Sequence, residues 1–180
     1  MDATLLVTGF VKLAFSLVVG ILGITTAARM FKRINGLTDL NEAIKENNIA
    51  VGIALSAAVV SIGILIQPAI YGTFSALQLL SYSAEQWLDI AWVVIYAFIH
   101  VAAALLLGAA VISIGTRVAI RLTPDIDEIE EIRSGNVACA VLLAAIMVTL
   151  ALLAQQGLQM VVDGLLPMPT LSRDNMIPPT

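Results

Sequence analysis

Four stretches of this 180-residue chain are long and apolar enough to cross the hydrocarbon core of a bilayer, which takes about 20 residues at 1.5 Å rise each. The first runs from Leu5 to Ala28 and is broken only by Lys12. The others run from Ile49 to Tyr71, from Trp87 to Thr116 and from Val137 to Val162. A chain that is 59% hydrophobic and 12% charged carries more apolar surface than a water-soluble core can hide, since soluble domains average roughly 45–50% and 25%. The expected fold class is therefore all-α integral membrane. A net charge of −4 supplies no basic face, so nucleic acid is not an expected partner; the lipid bilayer is. One Cys and one His leave no disulfide framework and no Cys/His zinc site within a chain.

Charge order sets the expected orientation. The N-terminus does not read as a signal peptide, because its first charge is Asp2 and no basic region precedes the apolar run. Arg29, Lys32, Arg33 and Lys45 fall between the first two spans, and Arg117, Arg121 and Arg133 between the last two. The connection from Pro68 to Ala91 has no Lys or Arg, and the tail has only Arg173. By the positive-inside rule the two basic connections are cytoplasmic and both termini are outside, with Arg29, Arg33, Arg117 and Arg121 as the inner anchors. Trp87, Trp92 and Tyr96, with Tyr71 and Tyr82 nearby, stand where an outer aromatic belt would lie.

The chain also aligns with itself, without a gap, at an offset of 88 residues. Phe10 falls on Phe98, Gly20 on Gly108, Arg29 on Arg117, Arg33 on Arg121, Asp39 on Asp127, Glu42 on Glu130, Asn48 on Asn136 and Gln67 on Gln155. Matches at Arg, Asp, Glu, Asn and Gln are not a by-product of apolar composition. Each unit holds two crossings, so the copies share one orientation: two parallel-related tandem helical hairpins, in contrast to the inverted repeats of many transporters. The expected divisions are residues 1–72 and 91–165 as the two repeats, 73–90 as an extracytoplasmic connection that lies on the outer surface or extends the second helix, and 166–180 as a proline-containing extracytoplasmic tail.

Each unit places a short charged amphipathic stretch before an Asn and a small-residue-rich helix, from Glu42 to Ala50 and from Glu130 to Ala138. In this the chain resembles the DUF350 family of small bacterial membrane proteins, also called UPF0719 or YjfL-like, over nearly its whole length up to about Leu166. The resemblance implies four helices, two copies of an Asn-Thr-Ala-Ala type signature with glycines after it, and a place in the bacterial cytoplasmic membrane. It implies no assigned activity. This chain departs from the pattern at Ile49 and Val137, where Thr is usual, and at Ala57 and Ser61, where glycines are expected.

Polar residues inside the spans are the candidate site. Lys12, Ser16, Gly20, Gly23 and Ala27 form one stripe of the first helix, and His100, Ala104, Gly108, Val111 and Gly115 are their equivalents. Asn48, Gly52, Ser56, Gly63 and Gln67 share a face of the second helix, and Asn136, Ala140, Ala144, Ala151 and Gln155 one of the fourth. Small residues let backbones approach in lipid, so Gly20, Gly108, Gly52, Ser56, Gly63, Ala140 and Ala144 are the expected packing positions. Lys12 and His100 then lie on the packing side. Gln67 lies roughly 28 Å from the inner end of its helix and Lys12 roughly 25 Å from Arg29 at helical rise, which puts Lys12, His100, Gln67 and Gln155 at one level in the outer third of the bilayer. An ionisable group at the bilayer centre costs roughly 2.5–3.5 kcal/mol, so the level is either an interhelical hydrogen-bond layer or a proton or ion relay near His100. Gln156 and Gln159 either line an outer vestibule or bond their neighbours. Asn48 and Asn136 sit where helices begin and are read as N-caps, worth about 1 kcal/mol each.

The charged connections read as short amphipathic helices. Leu37, Leu40 and Ile44 form one apolar edge, and Ile126, Ile129 and Ile132 the other. Thr123 and Pro124 suit the N-cap and first position of the second. Asp125, Asp127, Glu128, Glu130 and Glu131 lack metal-loop spacing and are read as a solvated face, with a docking surface for a basic partner as the lesser reading. Cys139 is read as a small core residue. With no nucleophile–base pair, phosphate loop or metal motif, the expectation is no enzyme and no cofactor. The leading reading is an oligomeric structural or interaction subunit of a membrane assembly, with a membrane or cytoplasmic protein as a further partner. The competing one is a small channel or proton-linked transporter using the Lys12/His100 level.

Overall fold

The computed structural model describes residues 3–35, 40–80, 87–122 and 126–165. Thr123, Pro124, Asp125, Leu37, Tyr82 and the tail from 166 lie outside the described residues, and so do the side chains of Trp87, Trp92 and Tyr96. The described residues form six helices: α1 (Ala3–Asn35), α2 (Leu40–Lys45), α3 (Ile49–Leu80), α4 (Trp87–Leu122), α5 (Glu128–Arg133) and α6 (Val137–Leu165). The protein is all-α, and α1, α3, α4 and α6 are each long and apolar enough to span a membrane. These helices run past the apolar stretches. α1 continues through Arg29, Lys32 and Arg33, α4 through Arg117 and Arg121, and α3 through Tyr71 to Leu80. No Gly or Pro interrupts the ends of α1 and α4, and long polar side chains favour helix there. The basic residues also sit at the negative ends of the two helix dipoles.

α3 is the centre of the molecule. It packs most extensively on α6, then on α4 and on α1. Its buried residues include Ala50, Ala54 and Ala58, which let neighbouring backbones close in, and Ile62, Leu65 and Ile66, which fill the space toward the outer end. Ala104 on α4 and Ala140, Leu143, Met147 and Ala151 on α6 complete this core. Pro68 lies inside α3 and removes the donor that would bond the carbonyl of Ile64. α1 is the least enclosed span. It buries Val19, Ala27 and Phe31 and leaves Leu13, Leu17, Val18 and Ile21 exposed.

The two short helices end alike. In α2, Asn47 N–H donates to the carbonyl of Ile44 (3.1 Å) and Asn48 N–H to that of Ala43 (3.0 Å). In α5, Gly135 N–H donates to Ile132 (3.2 Å) and Asn136 N–H to Glu131 (2.8 Å). Both are Schellman closures, which need a left-handed residue. Asn47 has φ +56° and Gly135 φ +94°, and Asn and Gly tolerate that conformation best. The chain then turns at once into a long helix.

Asp127 is the N-cap of α5, and its side chain accepts from Glu130 N–H at 3.2 Å. A corresponding correction applies to the acidic face. Glu128 is buried, as Ile132 is, while Asp127 and Glu130 are exposed. Glu128 therefore belongs to the inward edge of α5, one turn before Ile132, and not to a solvated face.

Candidate functional site

The polar groups fall into two layers. At the inner layer Asn48 and Asn136 start α3 and α6. Asn48 Oδ1 accepts from Val51 N–H (3.0 Å), and Asn136 Oδ1 from Ala138 (3.0 Å) and Cys139 (3.4 Å). Each asparagine thus satisfies helix N–H groups that would otherwise face the membrane edge unbonded. Their amide nitrogens differ. Asn48 Nδ2 reaches across to α5 and donates to the carbonyls of Arg133 (2.8 Å) and Ile132 (3.3 Å). Asn136 Nδ2 donates to Glu131 Oε2 at 2.8 Å, on the helix just before it. Arg29, Arg33, Arg117 and Arg121 are all exposed around this end.

At the outer layer Gln155 Nε2 donates to Gln67 Oε1 at 3.4 Å across the α3–α6 contact. His100 is buried between α4 and α3, beside a crevice lined by Leu65, Pro68, Ala69, Leu158 and Gln159 that has no room for a water molecule. Lys12 is exposed on α1, and its ammonium lies 5.2 Å from the ring centre of Tyr71 and 5.5 Å from that of Phe74. Those rings stand one and two turns beyond Gln67 on α3. Phe74 is held edge-on by Phe15 of α1, 5.6 Å away. A cation over two ring faces gains electrostatic attraction where water is scarce.

The hydroxyls in the spans turn back on their own helices. Thr73 donates to Ala69 O, Ser113 to Ala109 O and Thr116 to Ile112 O. Ser61 is fully buried, and its Oγ has no hydrogen-bond partner among the described residues.

The small residues divide by face. Gly108 and Ala140 are buried, Gly52 and Ala144 half-buried, and Gly20, Ser56 and Gly63 exposed within one chain. Gln67 is exposed and Gln155 half-buried, while Gln156 and Gln159 are exposed. Cys139 is half-buried. Among the described residues no group of three or more His, Cys, Asp or Glu side chains could hold a metal ion.

Sequence reasoning overlooked three features. It did not foresee the aromatic seat of Lys12, the reach of Asn48 to α5, or the burial of Glu128. The last had a visible signal, since Leu40 stands 88 residues before Glu128 on the apolar edge of α2.

The family model described as Domain of Unknown Function (DUF350) matches residues 4–104 and again residues 93–168. The chain belongs to the DUF350 family. No curated protein and no solved structure matches this DUF350 protein. The first of the two matched stretches covers α1 to α3 and enters α4, and the second begins in α4 and runs through α6 into the tail.

Proposed function

We propose that this DUF350 protein is a non-enzymatic, multi-pass protein of the bacterial cytoplasmic membrane that serves as an oligomeric structural or interaction subunit of a membrane assembly. One observation carries this reading: the long polar side chains at the outer level, Lys12, Gln67 and Gln155, are engaged between helices. Gln67 and Gln155 bond each other, Lys12 sits on Tyr71 and Phe74, and the crevice at His100 is too tight for a water chain. A proton relay needs a wet or hydrogen-bonded path on both sides of the titrating group.

The reading includes the architecture of two parallel-related tandem hairpins. It is supported by the matching closures of α2 and α5, by Gln67 meeting its own equivalent Gln155, and by a family model that matches twice. The grouping of basic residues at the α1/α2/α3 and α4/α5/α6 turns supports a cytoplasmic location for those turns and extracytoplasmic termini.

Reconstitution in liposomes tests the choice of function. The purified protein is expected to be larger than one chain and to pass neither protons nor cations, and His100→Gln is expected to keep that assembly. A proton or cation current lost in His100→Gln, with the oligomer unchanged, overturns the structural reading in favour of the channel. His100 is the residue on which such a channel would depend, because it is a buried titratable group within a span.

A further inference from the structure

We propose that copies of this chain join head to tail, with α6 of one copy seated on α1 of the next in the packing that α3 makes on α4 within a single chain. The proposal rests on the oligomeric reading above and adds its partner and register.

Within the chain, Leu65 of α3 is 0% exposed, and a Cβ placed on Gly108 of α4 would stand 3.5 Å from the Cβ of Leu65. The residues 88 positions from this pair are Leu153 of α6 and Gly20 of α1. They are the same residue types, yet they do not meet. Leu153 is 74% exposed, and a Cβ on Gly20 would find nothing within 4 Å. The flanking positions repeat the contrast. Val101 and Ile112 of α4 are buried, and their equivalents Leu13 and Ile24 of α1 are exposed.

The short helices give a second, independent sign. Ile132 of α5 is 4% exposed, beside the start of α3, where Asn48 reaches the α5 carbonyls. Its equivalent Ile44 of α2 is 52% exposed, and Asn136 has turned to Glu131.

Other contacts of the two halves do correspond within one chain. A Cβ on Gly23 of α1 would meet Ile62 of α3, and one on Gly115 of α4, one turn beyond the equivalent of Gly23 (Val111), would meet Leu150 of α6, the equivalent of Ile62, so α1–α3 and α4–α6 correspond as helix pairs. The halves therefore share their helix pairing except where α3 meets α4 and α5. Among the described residues the α3–α4 contact has no α6–α1 counterpart of comparable extent, and both surfaces for it are present and uncovered. A second copy is the occupant that offers the matching surface at the matching register. α6 and α1 cross in opposite directions, as α3 and α4 do, so no copy has to invert in the bilayer. Such an interface is heterologous, and it closes into a ring or continues as a row.

Disulfide trapping in native membranes tests this, with the full chain carrying Cys139→Ser. The template contact puts the Cβ atoms at 3.5 Å, at the short end of the range a disulfide spans, about 3.5–4.5 Å. Gly20→Cys with Leu153→Cys in one chain is expected to give cross-linked dimers and higher multimers on oxidation. Co-expressed single variants should give mixed dimers only. Leu65→Cys with Gly108→Cys should close within one chain and serves as the control for oxidation. Absence of the 20–153 cross-link while the control closes overturns the proposal, and so does Gly20→Cys cross-linking to itself.

A second measurement does not depend on cysteine geometry. Gly20 is exposed and a Cβ there meets nothing within 4 Å in a chain, so Gly20→Leu should break the complex into single chains and leave the monomer fold intact. An unchanged native mass for Gly20→Leu overturns the proposed register. The wild-type native mass separates the two readings: an oligomer without the 20–153 contact overturns only the register, whereas a lone chain overturns the oligomeric reading as well.

Discussion

Glu128 is a carboxylate in a leucine's place. It stands on the inward edge of α5 where Leu40 stands on α2, and both its carboxylate oxygens are buried with no hydrogen-bond partner among the described residues. A buried group that has lost its water and gained no partner costs about 1–3 kcal/mol, and more when it is charged. Glu128→Leu restores the residue of the other half and removes that cost. Thermal melting of the purified protein should show the variant more stable than the parent by about 1–3 kcal/mol. A lower melting temperature would mean that the carboxylate has a partner which stabilises the fold. The asparagine caps were legible from sequence because a cap needs only a residue type at a helix start. The burial of Glu128 ran against its chemistry, and only the 88-residue correspondence pointed to it.

At the scale of helices, the four spans and the two short elements could be read from apolar length and charge alone, but the faces could not. α3 is apolar nearly all round, so no polar edge reveals which side packs. Of its stripe Asn48, Gly52, Ser56, Gly63 and Gln67, the first two are half-buried and the last three exposed within one chain, while the fully enclosed small residues are Ala50, Ala54 and Ala58. The glycines of different faces should accordingly differ in their sensitivity to bulk. A Cβ on Gly23 would lie 2.7 Å from Ile66 Cδ1 and 3.3 Å from Ile62 Cγ2, while one on Gly63 meets nothing within 4 Å. Gly23→Leu forces α1 off α3, and overpacking of this kind costs about 1–3 kcal/mol. Gly63→Leu should leave the single-chain fold unperturbed. Melting curves of the two variants check the order, and equal loss in both would show that the exposed face of α3 is also packed.

Across the described residues, both short helices and the basic ends of α1 and α4 lie at one end of the helical bundle. In the proposed orientation that end is cytoplasmic. Reporter fusions at residues 40 and 128 should read inside, and a fusion at Thr180 outside; an inside reading at Thr180 reverses or breaks the topology. The proposed orientation rests on Lys and Arg counted in connections, a signal independent of packing. What no single chain reveals is how an exposed helix face is covered. Lipid and a neighbouring protein leave the same apolar pattern, because lipid tails are as apolar as leucine.

The connection between α3 and α4, residues 81–86, turns one contact between hairpins into an intramolecular event. Short tethers hold their ends at effective concentrations of about millimolar. The α3–α4 surface therefore closes whatever the abundance of the protein, whereas any contact between α6 and α1 depends on how many copies share the membrane. Assembly size should follow expression level, so scarce protein would persist as paired hairpins. Cutting the chain between α3 and α4 would make both kinds of encounter equally dependent on concentration.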